Sequence, residues 1–410
     1  MNNWQNLNIL WQDYFKLTVY KNDHLITPMF HCFLGVYLTS RYRLLMGGQY
    51  KTLRINPFLV QESGSGKSEA MKTTHFLLKK LGFDSYYTLK TTDASLTGSI
   101  DLVKGKPQKF DGLLKTKDCI FWDEGSILLR GGAYSETLCD IMQMATDNPG
   151  FIARSLKMGT IEFQTETTIC AGSYFEENIE KSILRRGILQ RLFVIFKNVQ
   201  SEEILDYIKN KASLVKVNYN EREALTNEIK KILPYNAYMK GKNEKKTIYI
   251  DPIAYEKICN EMYNYFTDKM EIFKDEKQTI FNTFISRNDN VVIIAAHKAI
   301  LEGKEKIDYG DFLYGFSLYK EHLKNVNQIL LKKGKVIMSV SDKRKEFVKN
   351  VIKNNVEKWS VYKLRDYLVE NPNWDLGKLN TYKLINDMIK EEYLKVDLVT
   401  EHNKKLISIN

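Results

Sequence analysis

The sequence lacks the features that would place the protein in a membrane or send it out of the cell. Its longest apolar stretch, Leu25–Leu38, is interrupted by Pro28, His31 and Gly35. No run of about 18 uninterrupted apolar residues, the minimum for a transmembrane helix, occurs anywhere. Residues Met1–Leu10 have neither the basic start nor the apolar run of a secretory signal. We therefore expect no membrane contact and a cytoplasmic location.

Metal-binding patterns are also missing. The five cysteines are widely spaced without a Cys-x-x-Cys pair, and the six histidines are scattered. This spacing argues against a four-cysteine zinc site and is typical of reduced thiols in a cytosolic core. We therefore expect no structural metal. The cysteines are Cys32, Cys119, Cys139, Cys170 and Cys259.

Positive charge, in contrast, is in excess. The chain has 410 residues, enough for two or three domains, and its 61 Lys/Arg against 50 Asp/Glu give a net charge of +11. Such a balance favours a polyanionic partner such as nucleic acid. The other explanation is an AT-rich genome, which encodes many lysines. Charge alone does not separate the two.

Strand and helix patterns alternate over residues 50–200, which predicts an α/β fold with a largely parallel sheet. Residues 4–20 and 24–46 have helical apolar spacing that ends at Gly47-Gly48, and residues 201–331 again favour helices. Further predicted elements are a strand at Thr52–Val60, a helix at Ser68–Leu81, strands at Cys119–Trp122, Thr167–Ala171 and Leu192–Phe196, a helix at Thr137–Ala145, and a hairpin at Phe151–Phe163.

The last part of the chain has a pattern of its own. Three short helices followed by strand-like alternation over Tyr393–Ile409 predict a winged-helix domain. Residues 331–410 contain 17 Lys/Arg and 11 Asp/Glu, and Lys378, Lys383 and Lys390 fall on the third helix. Contact of this domain with DNA and contact with protein both stay open. The predicted domains are 1–48, 49–200, 201–334 and 335–410.

A glycine-rich string, ESGSGKS at residues 62–68, lies between a predicted strand and a predicted helix, the context of a phosphate-binding loop. Gly64 and Gly66 allow backbone N–H groups to face the β- and γ-phosphates, and the helix that follows presents its positive end. Lys67 supplies a cation to the same oxygens, and Ser68 offers a hydroxyl to Mg²⁺. The string thus predicts an ATP and Mg²⁺ site formed by Ser63, Gly64, Ser65, Gly66, Lys67 and Ser68.

The loop departs from the full pattern GxxxxGK[ST] at one position, where Gln61 replaces the first glycine. This change is expected to alter the angle at which the chain enters the loop. The alternative interpretation of the string is a glycine-rich turn that carries a lysine by chance. The flanking strand and helix favour the phosphate-binding interpretation.

Two adjacent carboxylates follow about 55 residues later. Asp123 and Glu124 come directly after the apolar strand Cys119–Trp122, which delivers both side chains at its carboxyl end. Asp123 would hold Mg²⁺ through water, and Glu124 would orient the water that attacks the γ-phosphate. An Asp-Glu pair after four apolar residues is common by chance. Its position downstream of the loop makes the two motifs together a strong signal for an ATPase.

Four further segments carry a family resemblance: Ser95–Gly98, Asp111–Leu114, Phe151–Gly159 and Ile188–Phe193. They resemble the opening of the helix-2 insert, the lead-in to the acidic motif, the pre-sensor-1 hairpin and the arginine-finger segment of minichromosome-maintenance (MCM) helicases. Residues 50–330 are therefore similar to this class of AAA+ ATPases. They resemble equally the helicase modules of primase-associated proteins in phages, plasmids and mobile elements. The implied fold is a AAA+ P-loop core with a helical lid.

The resemblance also implies roles for individual residues. Arg191 would be the arginine finger that acts in a neighbouring subunit's site, although a surface salt bridge is the alternative for this residue. Ser173 occupies the sensor-1 place, where the MCM members usually carry Asn. Arg287 would be the sensor-2 arginine, and Arg185 and Arg186 are alternative anion contacts. With Lys67 and Glu124, the implied catalytic residues are Ser173 and Arg191.

An arginine finger acting between subunits implies a ring, with a homo-hexamer expected. A ring that encloses DNA needs a basic lining that contacts phosphates and not bases. The candidates lie in the insert and in the hairpin, with a solvated turn as the alternative for the insert lysines. They are Lys104, Lys106, Lys109, Arg154 and Lys157.

The leading functional hypothesis is an ATP-dependent, ring-forming DNA helicase or translocase that replicates a mobile element, phage or plasmid. Its expected partners are single-stranded or forked DNA and a primase or initiator protein. A second class is a non-unwinding AAA+ machine: a helicase loader, a transposition regulator or a protein remodeller. The insert Lys104–Lys109 lacks the aromatic-hydrophobic pair of remodeller pore loops, which favours nucleic acid. A monomeric P-loop kinase would leave the basic tail unexplained.

Overall fold

A computed structural model describes most of the chain and divides it into two compact units, residues 1–334 and 335–410. The described residues are 2–19, 23–62, 64–128, 133–174, 188–197, 205, 219–233, 245–270, 289–331, 340–354, 359–372, 374, 376–390, 394–399 and 404–409. Among them, no helix combines the length and apolar character that crossing a bilayer requires.

The first unit is built on a sheet of five parallel strands, which confirms the predicted α/β class. All five strands are short, and the three central ones are buried along their whole length, as expected for a parallel sheet covered on both faces. From one edge to the other the strands are β11 (Phe193–Lys197), β3 (Pro57–Gln61), β10 (Thr168–Ser173), β7 (Cys119–Trp122) and β4 (Ser85–Thr88).

The other elements of this unit surround the sheet. Its described helices are α1 (Asn3–Lys16), α2 (Asp23–Thr39), α3 (Lys67–Lys80), α4 (Asp93–Thr97), α5 (Leu113–Thr116), α6 (Ala133–Thr146), α7 (Ile188–Arg191), α8 (Tyr219–Ile232), α9 (Pro252–Met270), α10 (Asp289–Leu301) and α11 (Tyr309–Leu331). The remaining strands are β1 (Tyr42–Met46), β2 (Gln49–Lys51), β5 (Gly98–Val103), β6 (Lys106–Asp111), β8 (Gly150–Leu156), β9 (Gly159–Thr165), β12 (Lys246–Ile250) and β13 (Lys306–Ile307).

The predicted helix over residues 24–46 is wrong only after Thr39. The helix α2 ends at Thr39, and β1 follows and pairs in parallel with β12, far along the chain. Leu44 of β1 is fully buried in this pairing. Local apolar spacing cannot reveal a strand whose partner lies about 200 residues away.

The predicted strand Thr52–Val60 is also wrong over its first half, because pairing in the sheet begins only at Pro57. The preceding residues are nevertheless buried, and side chains satisfy their backbone groups. Thr52 N donates to Asn148 Oδ1 at 2.7 Å, and Leu53 N donates to Thr39 Oγ1 at 3.1 Å. Burial produced the apolar pattern of a strand where no strand pairing exists.

Both predicted surface insertions are antiparallel hairpins. Strands β8 and β9 form the hairpin predicted at Phe151–Phe163, which is confirmed. The insert that resembled a helix-2 opening is the hairpin of β5 and β6, which turns at Lys104 and Gly105, both with positive φ. The two hairpins are adjacent, since a Cβ on Gly159 would lie 3.2 Å from Ile100 Cδ1.

The N-terminal helices belong to the same hydrophobic core as the parallel sheet. Trp11 of α1 is fully buried, with its ring stacked at 5.4 Å on Phe33 of α2, and its indole N–H donates to Ile26 O at 2.9 Å. Residues 3–39 therefore pack as part of the first unit.

The second unit has a separate core that includes Val348, Leu364 and Ile385. Three helices come before a terminal hairpin, and the strand β14 adds to that hairpin in the order β14-β16-β15. The elements are α12 (Val340–Asn354), β14 (Trp359–Ser360), α13 (Val361–Glu370), α14 (Lys378–Lys390), β15 (Leu394–Val399) and β16 (Lys404–Ile409).

Candidate nucleotide-binding site

The glycine-rich loop leaves the carboxyl end of β3 and enters α3 at Lys67. Gly64 has φ 78° and Gly66 has φ 89°, which is the left-handed region that glycine enters at little steric cost. Gly66 is the residue immediately before α3, so the chain turns sharply into the helix there. The loop thus meets the positive end of a 14-residue helix, where free N–H groups bind anions.

Lys67 is buried and reaches back across its own loop. Its ammonium donates to Gln61 O at 2.8 Å and to Glu62 O at 2.9 Å. Burial lowers the pKa of Lys67 to about 8, although Asp123, Glu62 and Glu69 act in the opposite direction. Both acceptors are backbone carbonyls of the loop, which phosphate oxygens can replace as partners of the cation.

Ser68 and Asp123, the two predicted Mg²⁺ ligands, lie side by side. Ser68 Oγ donates to Asp123 Oδ1 at 2.9 Å, across 55 residues of sequence. The hydroxyl of Tyr87 donates to the second carboxylate oxygen, Asp123 Oδ2. Burial and the hydrogen bond to Asp123 raise the pKa of Tyr87, so its phenol remains a proton donor.

This donor set fits Mg²⁺. A hydroxyl and a carboxylate are the hard oxygen donors that Mg²⁺ prefers, and in nucleotide sites it takes only one or two carboxylates besides phosphates and water. In the part of the chain that the structure describes, no group of three or more His, Cys, Asp or Glu could hold a metal. That finding is compatible with a site completed by phosphate and water.

Glu124 follows Asp123 at the same edge of the sheet. The ladder between β4 and β7 continues past both strands, because Asp123 N donates to Thr88 O at 2.9 Å and Glu124 N to Leu89 O at 3.0 Å. The carboxylate of Glu124 is half exposed, and Lys90 Nζ lies 3.7 Å from its Oε2. Glu124 therefore has a fixed backbone and a side chain that water can reach.

Ser173 ends the strand between the loop strand and the carboxylate strand. It lies opposite Val60 of β3 in register and is buried, and its hydroxyl donates to Tyr174 O at 2.7 Å. Gly172 beside it is close to Asp123, because an added Cβ would meet Asp123 O at 2.9 Å. Loop, carboxylate and Ser173 are thus neighbours at the carboxyl end of the sheet.

Gln61 stands where the full motif has a glycine. The sequence did not reveal the structural role of its side chain. Its side chain is completely buried, and its amide contacts His24 Nε2 on α2. Its Oε1 accepts a hydrogen bond from Ser65 Oγ at 3.2 Å. Gln61 therefore links the loop to α2, which a glycine could not do. The departure from the glycine pattern was the only signal in the sequence.

A pocket of ≈260 Å³ is lined by residues of α2, β11 and α11. Phe196 and Leu318 contribute apolar walls, and His24 joins the pocket to Gln61. The sequence contained no signal for this pocket, because its walls come from three distant segments.

Arg191 lies at the opposite end of the sheet from the loop. It precedes β11, whose Phe193 pairs with Pro57 and whose Lys197 pairs with Gln61. Four residues of strand separate those two pairs by about 13 Å, so Arg191 does not reach its own loop. Its Nε donates to Asp147 Oδ1 at 2.8 Å, and its side chain is largely buried. The salt bridge expected as an alternative is present, and the role in a neighbouring subunit stays a prediction.

The candidate DNA contacts differ in environment. Lys104, Lys106 and Lys109 are exposed on the hairpin of β5 and β6, and Lys157 is exposed at the turn between β8 and β9. Arg154 instead points inward. It forms an ion pair with Asp93 and donates to Thr97 Oγ1 at 3.1 Å, which ties the second hairpin to α4.

A second buried cation, Arg54, lies just before β3 at the amino end of the sheet. Its guanidinium donates to Thr52 Oγ1 at 2.9 Å, to Ala145 O and Thr167 O at 3.0 Å, and to Asp147 O at 2.7 Å. Burial lowers the pKa of Arg54 to about 10, so it remains charged at neutral pH.

Four of the predicted residues, Ser63, Arg185, Arg186 and Arg287, lie outside the described residues. The remaining predicted phosphate and metal residues come together at the carboxyl end of β3, β10 and β7. No protein-family model matches this sequence, and no curated protein matches it either.

Proposed function

We propose that the protein is a AAA+ ATPase that works as an ATP-dependent, ring-forming DNA helicase or translocase. The observation that carries the proposal is the contact of Ser68 with Asp123 next to the buried Lys67. A loop lysine and hydroxyl meeting a strand-end carboxylate is the arrangement needed to hold a nucleoside triphosphate with Mg²⁺.

The contacts support the following roles in hydrolysis. Lys67 exchanges its two carbonyl partners for phosphate oxygens, and the N–H groups of the loop and of α3 bind the same phosphates. Ser68 and Asp123 would hold Mg²⁺, which would supply positive charge to the phosphates. Glu124, with its half-exposed carboxylate, orients the attacking water. Ser173 ends the strand between β3 and β7, and we propose that it contacts that water or the γ-phosphate.

A ring is supported by the position of Arg191. An arginine about 13 Å or more from its own loop can stabilise transition-state charge only in another subunit's site. A head-to-tail interface that repeats in this way closes into a ring, for which we propose a homo-hexamer. The pairing with Asp147 would then hold the arginine in place until a neighbour docks.

DNA as the substrate is supported by the hairpin of β5 and β6. The strand β6 is exposed along its whole length. Three exposed lysines accompany Leu102 and Phe110, which are 58% and 42% exposed. Lysines next to exposed apolar and aromatic side chains suit a single strand, whose phosphates and unpaired bases need both kinds of contact.

The second unit is proposed to be a winged-helix domain. Its three helices followed by a hairpin, with β14 added to the sheet, support this assignment. Lys378, Lys383 and Lys390 are exposed on α14, the helix that would enter a DNA groove. A primase or initiator protein is the alternative partner of this surface.

The deciding experiment measures ATP hydrolysis with and without single-stranded DNA, together with strand displacement from a forked duplex. The helicase proposal predicts stimulation by single-stranded DNA and ATP-dependent displacement, both lost in Lys67→Ala. DNA binding and ATP hydrolysis without displacement would indicate a loader or a transposition regulator. Stimulation by protein substrates and not by DNA would indicate a remodeller. Absence of ATP binding would overturn the whole proposal.

A further inference from the structure

We propose that Tyr87 is a positioning residue that orients the Asp123 carboxylate for Mg²⁺. The inference rests on the proposed function, in which Ser68 and Asp123 would hold Mg²⁺. Neither the loop motif nor the Asp-Glu pair includes Tyr87, which lies on β4 at the edge of the sheet.

The backbone brings Tyr87 to the carboxylate through strand pairing. Tyr87 lies opposite Phe121 in the parallel ladder of β4 and β7, and Thr88 lies opposite Trp122. Asp123 N then donates to Thr88 O at 2.9 Å, so the residue after the strand stays in the ladder. The backbones of Tyr87 and Asp123 are thus fixed relative to each other before any side-chain contact forms.

The two oxygens of Asp123 have separate donors. Ser68 Oγ donates to Oδ1 at 2.9 Å from the loop side, and the Tyr87 hydroxyl donates to Oδ2 from the other side. A carboxylate held at both oxygens cannot rotate about its Cβ–Cγ bond without breaking a hydrogen bond. Oδ1 therefore stays beside Ser68, where a metal ion or its bound water would find both ligands.

The ring of Tyr87 is itself held in place. Lys72 Nζ lies 5.5 Å from the ring centroid, and the His75 ring lies 6.1 Å from it. His75 is fixed in turn, because its Nδ1 is 2.7 Å from Ser85 Oγ. Lys72 and His75 both lie on α3, the helix that carries Ser68. The same helix therefore positions Ser68 and the ring of Tyr87.

Mg²⁺ demands near-ideal octahedral geometry, which makes its binding sensitive to the orientation of each ligand. Loss of a hydrogen bond to a metal-ligating group typically costs 10- to 100-fold in metal affinity or activity. We therefore expect Tyr87→Phe, which removes only the hydroxyl, to raise the Mg²⁺ concentration for half-maximal effect by roughly tenfold. Nucleotide binding without Mg²⁺ should not change.

The test titrates Mg²⁺ against the full-length protein with a fluorescent ATP analogue and reads binding, not turnover. The matched control is Tyr86→Phe, since Tyr86 is the exposed neighbour on the same strand. Tyr87→Phe should shift the Mg²⁺ midpoint about tenfold, and Tyr86→Phe should leave it at the wild-type value. Thermal unfolding of both variants checks that neither has lost the fold.

A second comparison tests whether Tyr87 acts through Asp123. In an Asp123→Asn background, adding Tyr87→Phe should cause no further shift, because the oriented carboxylate is already gone. The same shift in both backgrounds, or no shift in Tyr87→Phe alone, would overturn the inference and leave the proposed function intact. A wild-type protein whose nucleotide binding ignores Mg²⁺ would overturn the proposed function itself.

Discussion

Each end of the parallel sheet contains a buried cation. The two cations differ in where their hydrogen-bond acceptors lie along the chain. At the amino end, Arg54 donates to four acceptors that belong to three separate stretches of the chain. At the carboxyl end, Lys67 donates to two carbonyls of its own loop. Burial lowers the pKa of both, to about 10 for Arg54 and to about 8 for Lys67.

The difference distinguishes the structural charge of Arg54 from that of Lys67, which we propose is available to a phosphate ligand. The partners of Arg54 lie far apart in sequence, so its hydrogen bonds hold segments together and exchanging them would loosen the fold. The partners of Lys67 lie within six residues of it, so exchanging them for phosphate oxygens changes only the loop. Burial does not distinguish Arg54 from Lys67. The positions of their hydrogen-bond acceptors along the chain do distinguish them.

The largest effect is expected on stability, when Arg54 and Lys67 are each replaced with methionine in separate variants. Arg54→Met leaves three carbonyls, two of them buried, without their donor and should lower the free energy of unfolding by about 3 kcal/mol or more. Lys67→Met removes a cation that is costly to bury, so its unfolding free energy should stay within about 1 kcal/mol of wild type. Urea denaturation of the two variants measures both values. Equal losses of unfolding free energy in the two variants would contradict this distinction between Arg54 and Lys67.

An intermediate effect is expected in the pH dependence of nucleotide binding. The pKa of Lys67 is lowered to about 8, so above that pH the free protein loses the charge that phosphate needs. Binding must then take up a proton, and affinity for an ATP analogue should fall by up to about tenfold, or 1.4 kcal/mol, per pH unit. Titrations from pH 7 to pH 9.5 test this, with Lys67→Met as the control that should lack the decline. A flat wild-type profile would contradict the environment described for Lys67.

The smallest expected signal concerns Arg191, the other cation at the amino end. If it serves a neighbouring subunit, mixing Arg191→Ala with Glu124→Gln should restore hydrolysis at interfaces that combine an intact Glu124 with an intact Arg191. In an equal, random mixture roughly a quarter of head-to-tail interfaces have that combination. Hydrolysis is compared between the mixture and each variant alone. No recovery despite normal assembly would make Arg191, like Arg54, a structural cation.

A part of this site can be predicted from the sequence when its residues lie close together along the chain. The loop and the Asp123–Glu124 pair were predictable, because each is a contiguous string with its own strand beside it. Tyr87 and the contact of Gln61 with His24 were not, because they depend on which strands and helices become neighbours. Fold prediction has the same limit: the hairpin of β8 and β9 pairs within 16 residues and was found. The pairing of β1 with β12 spans about 200 residues and was missed.

We propose that residues 61–68 and Asp123 form a site that hydrolyses a nucleoside triphosphate. The most direct test is Mg²⁺-dependent release of phosphate from ATP by wild type, Lys67→Ala and Lys79→Ala. Lys79 lies exposed near the far end of the same helix and serves as the matched control. The account predicts hydrolysis in wild type and Lys79→Ala, and a loss of at least about 100-fold in Lys67→Ala with its fold retained. Equal phosphate release by Lys67→Ala and Lys79→Ala would contradict it.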